Sequence, residues 1–163
     1  MHVTEPVTML TDYALAAVSL GFAVSLARVI GPRNRVSAWF WCAAFVGSGI
    51  AAASGGTYHG FGTYLTPGTL RALWNLTIFL AGASGAFMTA GIHAAYIKRK
   101  DGTVLWLVVG IAVTLLGVTV QQSGFPHLTN FNHNDLYHLI QIAGLYFFFR
   151  CARTVKDRLG ISI

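Results

Sequence analysis

The residues best able to do chemistry in this sequence are histidines and aspartates that border long apolar segments. The stretch NHNDLYHLIQIAGLYFFFR carries His133, Asp135 and His138 ahead of an apolar run. His59 ends another apolar segment, and Asp12 begins a third. Imidazole nitrogen and carboxylate oxygen are zinc ligands, and a catalytic zinc site keeps three protein ligands and one open position. These residue types predict a metal site if the fold brings the segments together.

The predicted zinc ligands are His59, His138 and one of Asp135 or His133. Asp135 precedes His138 by three positions and so shares its face of a helix. His133 joins them only if the chain turns back where it enters the helix. A carboxylate that does not bind the metal, Asp135 or Asp12, would accept the proton of the metal-bound water.

Two other hypotheses fit the same residues. His59 and His138 are candidate axial ligands of a b-type haem, because two histidines that face each other in a helical bundle can hold one. Alternatively, the chain performs no chemistry and is an accessory subunit whose polar face binds partner membrane subunits. The residues alone leave all three hypotheses open.

The composition places these residues in a membrane protein. The chain has 163 residues, of which 55% are hydrophobic and 10% charged, against about 25% charged in a soluble domain. The mean hydropathy is +0.60. The net charge of +6 does not indicate a nucleic-acid partner, because the basic residues form short clusters between apolar runs. We expect one integral membrane domain whose surroundings and partner are lipid.

Five segments are long and apolar enough to be transmembrane helices, which need about 20 residues each. They cover approximately residues 12–30, 36–55, 70–98, 103–121 and 134–153. The expected fold is therefore an all-α bundle of five transmembrane helices. Small residues at a spacing of four in the second and third segments, such as Gly47 with Ala51 and Gly82 with Ala86, predict that these two helices pack closely.

The basic residues predict the orientation. In the five-helix topology, ten of the eleven Lys and Arg residues fall on one side, and only Arg71 falls on the other. The side rich in basic residues is cytoplasmic by the positive-inside rule. The N-terminus is then outside, the C-terminus is cytoplasmic, and the candidate site lies towards the outer face of a bacterial inner (plasma) membrane.

The polar residues at two helix ends resemble a known pattern. The sequence loosely resembles the membrane hydrolase superfamily of alkaline ceramidases and adiponectin-type receptors, which has a histidine on the second helix and an HxxxH motif on the last. His59 and His138 match by position, and NDLYH takes the place of HxxxH. The resemblance implies zinc-dependent hydrolysis of a lipid amide or ester.

Overall fold

The chain folds into five helices with four very short strands. The computed structural model describes residues 3–96, 102–128 and 131–158. The helices are α1 (Pro6–Ala27), α2 (Arg35–Phe61), α3 (Pro67–Ala94), α4 (Thr103–Ser123) and α5 (His133–Thr154). Strand β1 (Ala95–Tyr96) pairs with β4 (Lys156–Asp157), and β2 (His127–Leu128) pairs with β3 (Phe131–Asn132). The prediction of an all-helical fold is confirmed, and five helices are present in the described residues.

Proline and glycine mark several helix ends. Pro6 and Pro67 occupy the first turns of α1 and α3, where the missing N–H of proline costs nothing. Gly102 and Gly124 flank α4 with φ of +70°, a conformation that favours glycine. The first predicted helix was placed too late, since α1 begins six residues before Asp12.

Four helices are long and apolar enough to cross a membrane. Within the described residues these are α1, α2, α3 and α4. α5 has 22 residues but is not among them, because its first half is rich in polar side chains. The architecture is thus that of an integral membrane protein.

The helices pack in the order α3–α2–α1–α5–α4. α2 packs along both α1 and α3, α4 packs along α5, and α1 contacts α5. Within the residues that the structure describes, α3 and α4 do not pack along each other. The bundle is therefore an open arc, with α3 and α4 at its two edges.

The two ends of the bundle differ in charge. At one end, which we call the N-terminal end, the start of α1 meets the end of α2 through the Glu5 N–H, which donates to the His59 carbonyl. Arg71 lies near that end of α3. The opposite end carries the basic residues Arg28, Arg33, Arg35, Arg150, Arg153, Lys156 and Arg158. The predicted basic cluster Lys98, Arg99 and Lys100 falls outside the described residues.

Aromatic side chains pack the half of the bundle nearer the basic end. Trp41 and Phe45 of α2 are fully buried. Phe22 of α1 stacks on Phe149 of α5 with ring centroids 4.5 Å apart, and Trp41 lies 6.2 Å from Phe148. These rings join α1, α2 and α5 into one core.

The predicted close packing of α2 and α3 depends on which glycines lie between the two helices. A β-carbon on Gly47 would lie 2.6 Å from Ser84 Oγ, so Gly47 does pack against α3 as predicted. Gly82 of α3 instead faces open space, with no atom within 4 Å of such a carbon, so its predicted packing role is wrong. Small residues permit close helix packing in lipid, but they do not show which neighbour they face.

The C-terminal segment contacts the start of α2 at the basic end. Asp157 Oδ1 accepts hydrogen bonds from the Ser37 N–H (2.9 Å) and hydroxyl (2.6 Å), and Oδ2 accepts one from the Val36 N–H (2.9 Å). A carboxylate that satisfies free N–H groups at a helix start stabilises that helix. Asp157 therefore caps α2 from the far end of the chain.

We expect Asp157→Ala to destabilise the protein by about 1–2 kcal/mol, because the N–H groups that start α2 lose their acceptor. Thermal unfolding in detergent measures the change. Lys156→Ala is the matched control, since Lys156 is exposed and adjacent. Equal effects of the two substitutions would contradict the capping role.

Candidate functional site

A buried carboxylate–imidazole pair joins α1 to α5. His138 Nε2 lies 3.2 Å from Asp12 Oδ1. Asp12 is 4% exposed and His138 is 7% exposed. The sequence placed Asp12 at the start of its helix, but α1 begins at Pro6, so the carboxylate lies about two turns inside. Ionisable side chains at such a depth are costly and mark functional sites by default.

The Thr11 hydroxyl extends this pair into a chain of three groups. Thr11 Oγ1 lies 3.1 Å from His138 Nδ1 and 3.0 Å from the Thr8 carbonyl oxygen. If the hydroxyl donates to Thr8, the Nδ1–H group of His138 donates to Thr11, and Asp12 and Nε2 then share one proton in a neutral pair. If the hydroxyl donates to Nδ1, the Nε2–H group donates to an ionised Asp12. The site can thus hold or release one proton.

Two glycines of α2 make room for Asp12. A β-carbon on Gly55 would lie 3.3 Å from Asp12 Oδ2, and one on Gly56 would lie 3.0 Å from Asp12 Cβ and 3.2 Å from the Met9 carbonyl oxygen. Asp12 Oδ2 is itself buried and has no hydrogen-bond partner among the described residues. Such an atom calls for a water molecule or a ligand.

Asp135 has a structural partner. Its Oδ2 accepts a hydrogen bond from the Asn132 N–H (2.7 Å), and Asn132 Oδ1 accepts bonds from the N–H groups of Asn134 and Asp135, which completes a capping box. Asn132 Nδ2 also donates to Thr8 Oγ1 of α1 (3.4 Å). Asp135 therefore fixes the start of α5, and with it the position of His138.

The other two predicted metal ligands have different neighbours. His59 Nδ1 lies 3.1 Å from Glu5 Oε2, and the ring of His133 lies 6.3 Å from that of His127. The described part of the chain contains no group of three or more His, Cys, Asp or Glu side chains arranged to hold a metal ion.

The predicted cofactors do not match this donor set. Both ring nitrogens of His138 already have hydrogen-bond partners on the protein, whereas His59 contacts Glu5 through Nδ1 alone. Zinc or haem iron needs a free imidazole nitrogen from each ligand. As arranged, His138 offers no free nitrogen to a metal, so the predicted ligand sets that include His138 do not fit zinc or haem iron.

A cavity of about 300 Å³ opens beside the Asp12–His138 pair. All five helices contribute to its wall. Besides Asp12 and His138, its lining comprises Leu15, Ser48, Ala51, Ala52, Thr77, Ala81, Ser84, Gly85, Met88, Thr114, Tyr137, Gln141, Leu145 and Phe148. This volume is at the lower end of the range for small-molecule sites.

The cavity has a polar end and an apolar end. Tyr137, His138 and Gln141 follow one another along α5 near Asp12, whereas Leu145 and Phe148 lie further along the same helix. Gln141 Nε2 donates to the Thr114 carbonyl oxygen (3.3 Å). The cavity can thus take a molecule with a polar group at one end and an apolar body.

A second residue of the cavity wall has an unpaired polar atom. Thr114 Oγ1 of α4 is buried and has no hydrogen-bond partner within the described residues. It lies against Gly144 of α5, as Asp12 Oδ2 lies against Gly55 of α2, so two residues of the cavity wall each hold one oxygen without a partner among the described residues. Unsatisfied buried polar groups are uncommon in proteins and call for an explanation.

Sequence reasoning missed three polar residues of this region. Thr11, Glu5 and Thr114 were not identified, although Thr11 directly precedes Asp12 in LTDYA. Proline is common in the first turn of a helix. A prediction that α1 starts at Pro6 would have placed Glu5 and Thr11 near the start of this helix.

Comparison with known proteins places the chain in one family. No curated protein and no solved structure matches the chain. One family model matches residues 7–92 and 78–157, which together cover all five helices. The chain therefore belongs to the family described as a family of unknown function, DUF6962.

Proposed function

We propose that this protein is an integral membrane hydrolase that cleaves an ester or amide bond of a lipid in the cavity between its helices. The observation that carries the proposal is the buried Asp12–His138 pair beside a cavity whose lining residues include Asp12 and Thr114, each with one unpaired polar atom. A paired carboxylate and imidazole can transfer a proton. The unpaired atoms supply contacts that a reacting group needs.

Asp12 acts as the general base. Its Oδ1 atom is held by His138 Nε2, and its Oδ2 atom has no partner among the described residues, so a water molecule that enters beside Oδ2 transfers its proton there. The water oxygen attacks the carbonyl carbon as this proton moves to Oδ2. The carbon–oxygen or carbon–nitrogen bond to the leaving group then breaks, and the proton passes to the leaving oxygen or nitrogen. The products are a carboxylic acid and an alcohol or amine.

Hydrolysis also requires hydrogen-bond donors to the carbonyl oxygen, and hydroxyl groups in the cavity wall are candidates for this role. Thr114 and Tyr137 both line the cavity and carry O–H donors. Donors aimed at the carbonyl oxygen stabilise the negative charge that develops there. Thr114 Oγ1 is the stronger candidate because no described residue bonds to it.

The proposed orientation places the N-terminus outside and the C-terminus in the cytoplasm. The separation of Arg71 from the other described basic residues supports it, since basic residues collect on the cytoplasmic side. The Asp12–His138 pair then lies in the outer half of a membrane, which we propose to be a bacterial inner (plasma) membrane.

The test is hydrolysis by the purified protein in lipid nanodiscs. A panel of acyl esters and amides is incubated with it, and released fatty acid is measured by mass spectrometry. We expect Asp12→Asn to reduce the rate by about 10²–10⁴-fold, the usual contribution of a general base. His59→Gln is the control, because His59 contacts Glu5 and does not line the cavity.

Two results would overturn the proposal: a folded wild-type protein that cleaves no ester or amide, or an Asp12→Asn variant with unchanged activity. Equal losses in Asp12→Asn and His59→Gln, together with stoichiometric zinc, would instead favour the metal site that the sequence suggests. A protein that cleaves nothing and co-purifies with other membrane chains would favour an accessory subunit.

A further inference from the structure

The cavity is closed on one side and open on the other. Its α1 residues, Asp12 and Leu15, are buried, as are Ala51 and Ala52 of α2. Its α3 residues behave differently, because Ala81 and Gly85 line the cavity and are also exposed at the surface. The cavity therefore reaches the surface along α3.

This opening lies at the break in the helix arc. α3 and α4 are the two edges of the arc and do not pack along each other in the described residues, yet both line the cavity. Ala81 lies near the middle of α3 and Thr114 near the middle of α4. In helices that span a bilayer, these levels face the hydrocarbon core rather than water.

We infer that the gap between α3 and α4 admits the acyl chain of a membrane lipid sideways from the bilayer, and that the cavity is its binding site. Met88, Leu145 and Phe148 are apolar residues of the wall, and Asp12, Tyr137 and His138 lie towards the N-terminal end. An acyl chain seated here places its carbonyl group near Asp12 and His138. This inference concerns how lipid enters and binds, and it rests on the proposed function only for the fate of the carbonyl group.

Gly85 sits in the gap and offers a direct way to block it. A β-carbon on Gly85 would meet no atom within 4 Å, so a side chain can begin there without a clash. A β-carbon on Gly82 would likewise meet no atom within 4 Å, and Gly82 is also exposed, but it does not line the cavity. The two glycines on one helix are therefore a matched pair, and Gly85→Trp and Gly82→Trp differ only in whether the indole obstructs the gap.

The experiment uses the full chain in nanodiscs that contain a phosphatidylcholine with a diazirine at the end of one acyl chain. After illumination, adducts are mapped by peptide mass spectrometry. We expect wild-type adducts on Met88 and Leu145 inside the cavity and on Phe79 of α3, which is 71% exposed and serves as the reference. Gly85→Trp should reduce the cavity adducts several-fold relative to Phe79, and Gly82→Trp should not.

Wild-type protein without cavity adducts would overturn the inference, and so would equal adduct levels in the two variants. Ala81→Trp, which places an indole at the other exposed lining position, provides a second test if Gly85→Trp does not fold. Labelling needs no turnover, so cavity adducts in a protein that hydrolyses nothing would retain the acyl-chain site and reject the hydrolase.

Discussion

Replacing His138 with alanine is expected to destabilise the protein by about 3–5 kcal/mol, because it leaves the Asp12 carboxylate buried without its partner. Asp12 and His138 are both nearly inaccessible. Thr11 loses its contact with Nδ1 as well. Equilibrium unfolding in mixed micelles, followed by circular dichroism, measures the loss.

A double-mutant cycle separates this coupling from the loss of packing. If the carboxylate is the cause, Asp12→Ala combined with His138→Ala costs less than the sum of the single substitutions. His59→Ala is the control, since Glu5 in that pair is 44% exposed, and exposed pairs contribute about 0–1 kcal/mol. The interpretation fails if His138→Ala costs no more than His59→Ala.

The second large effect is expected at Gly56, where α1 and α2 approach most closely beside the site. Leucine at this position would direct its first carbon to 3.0 Å from Asp12 Cβ and 3.2 Å from the Met9 carbonyl oxygen. Because the backbone of α1 cannot rotate away as a side chain can, the helices must separate. We expect a loss of about 2–3 kcal/mol and, under the proposed function, a parallel loss of hydrolysis.

Gly21→Leu is the matched control for this substitution. Gly21 lies on α1, and no atom would come within 4 Å of a carbon added there. Thermal unfolding and the fatty-acid release assay are applied to both variants. If Gly56→Leu is as stable and as active as Gly21→Leu, the close approach of α1 and α2 does not position Asp12.

Several features of the fold follow from local sequence. Runs of about 20 apolar residues predict long helices because the backbone must satisfy its own hydrogen bonds in lipid. The five helices were predicted on this basis, and α4 (Thr103–Ser123) matches its predicted start and ends within two residues of the prediction. The start of α1 was missed because residues 6–11 are not apolar enough to reveal a helix by composition.

The membership of the candidate site was only partly predictable. Asp12 and His138 were each identified from their type and surroundings, but the sequence grouped His138 with His59 and with Asp135 or His133. The structure pairs His138 with Asp12 and His59 with Glu5. Which imidazole meets which carboxylate depends on the side of α5 that packs against α1, and spacing within one segment does not contain that information.

The sequence by itself therefore determined a membrane-class, all-helical chain whose buried ionisable groups lie towards one end and whose basic residues lie at the other. Hydropathy and charge are local properties, so they can be read from each segment alone. Only the tertiary structure decided the helix order α3–α2–α1–α5–α4, the Asp12–His138 pair and the cavity open between α3 and α4. These depend on side-chain fit between distant segments, such as Gly55 and Gly56 against α1, which no single segment specifies.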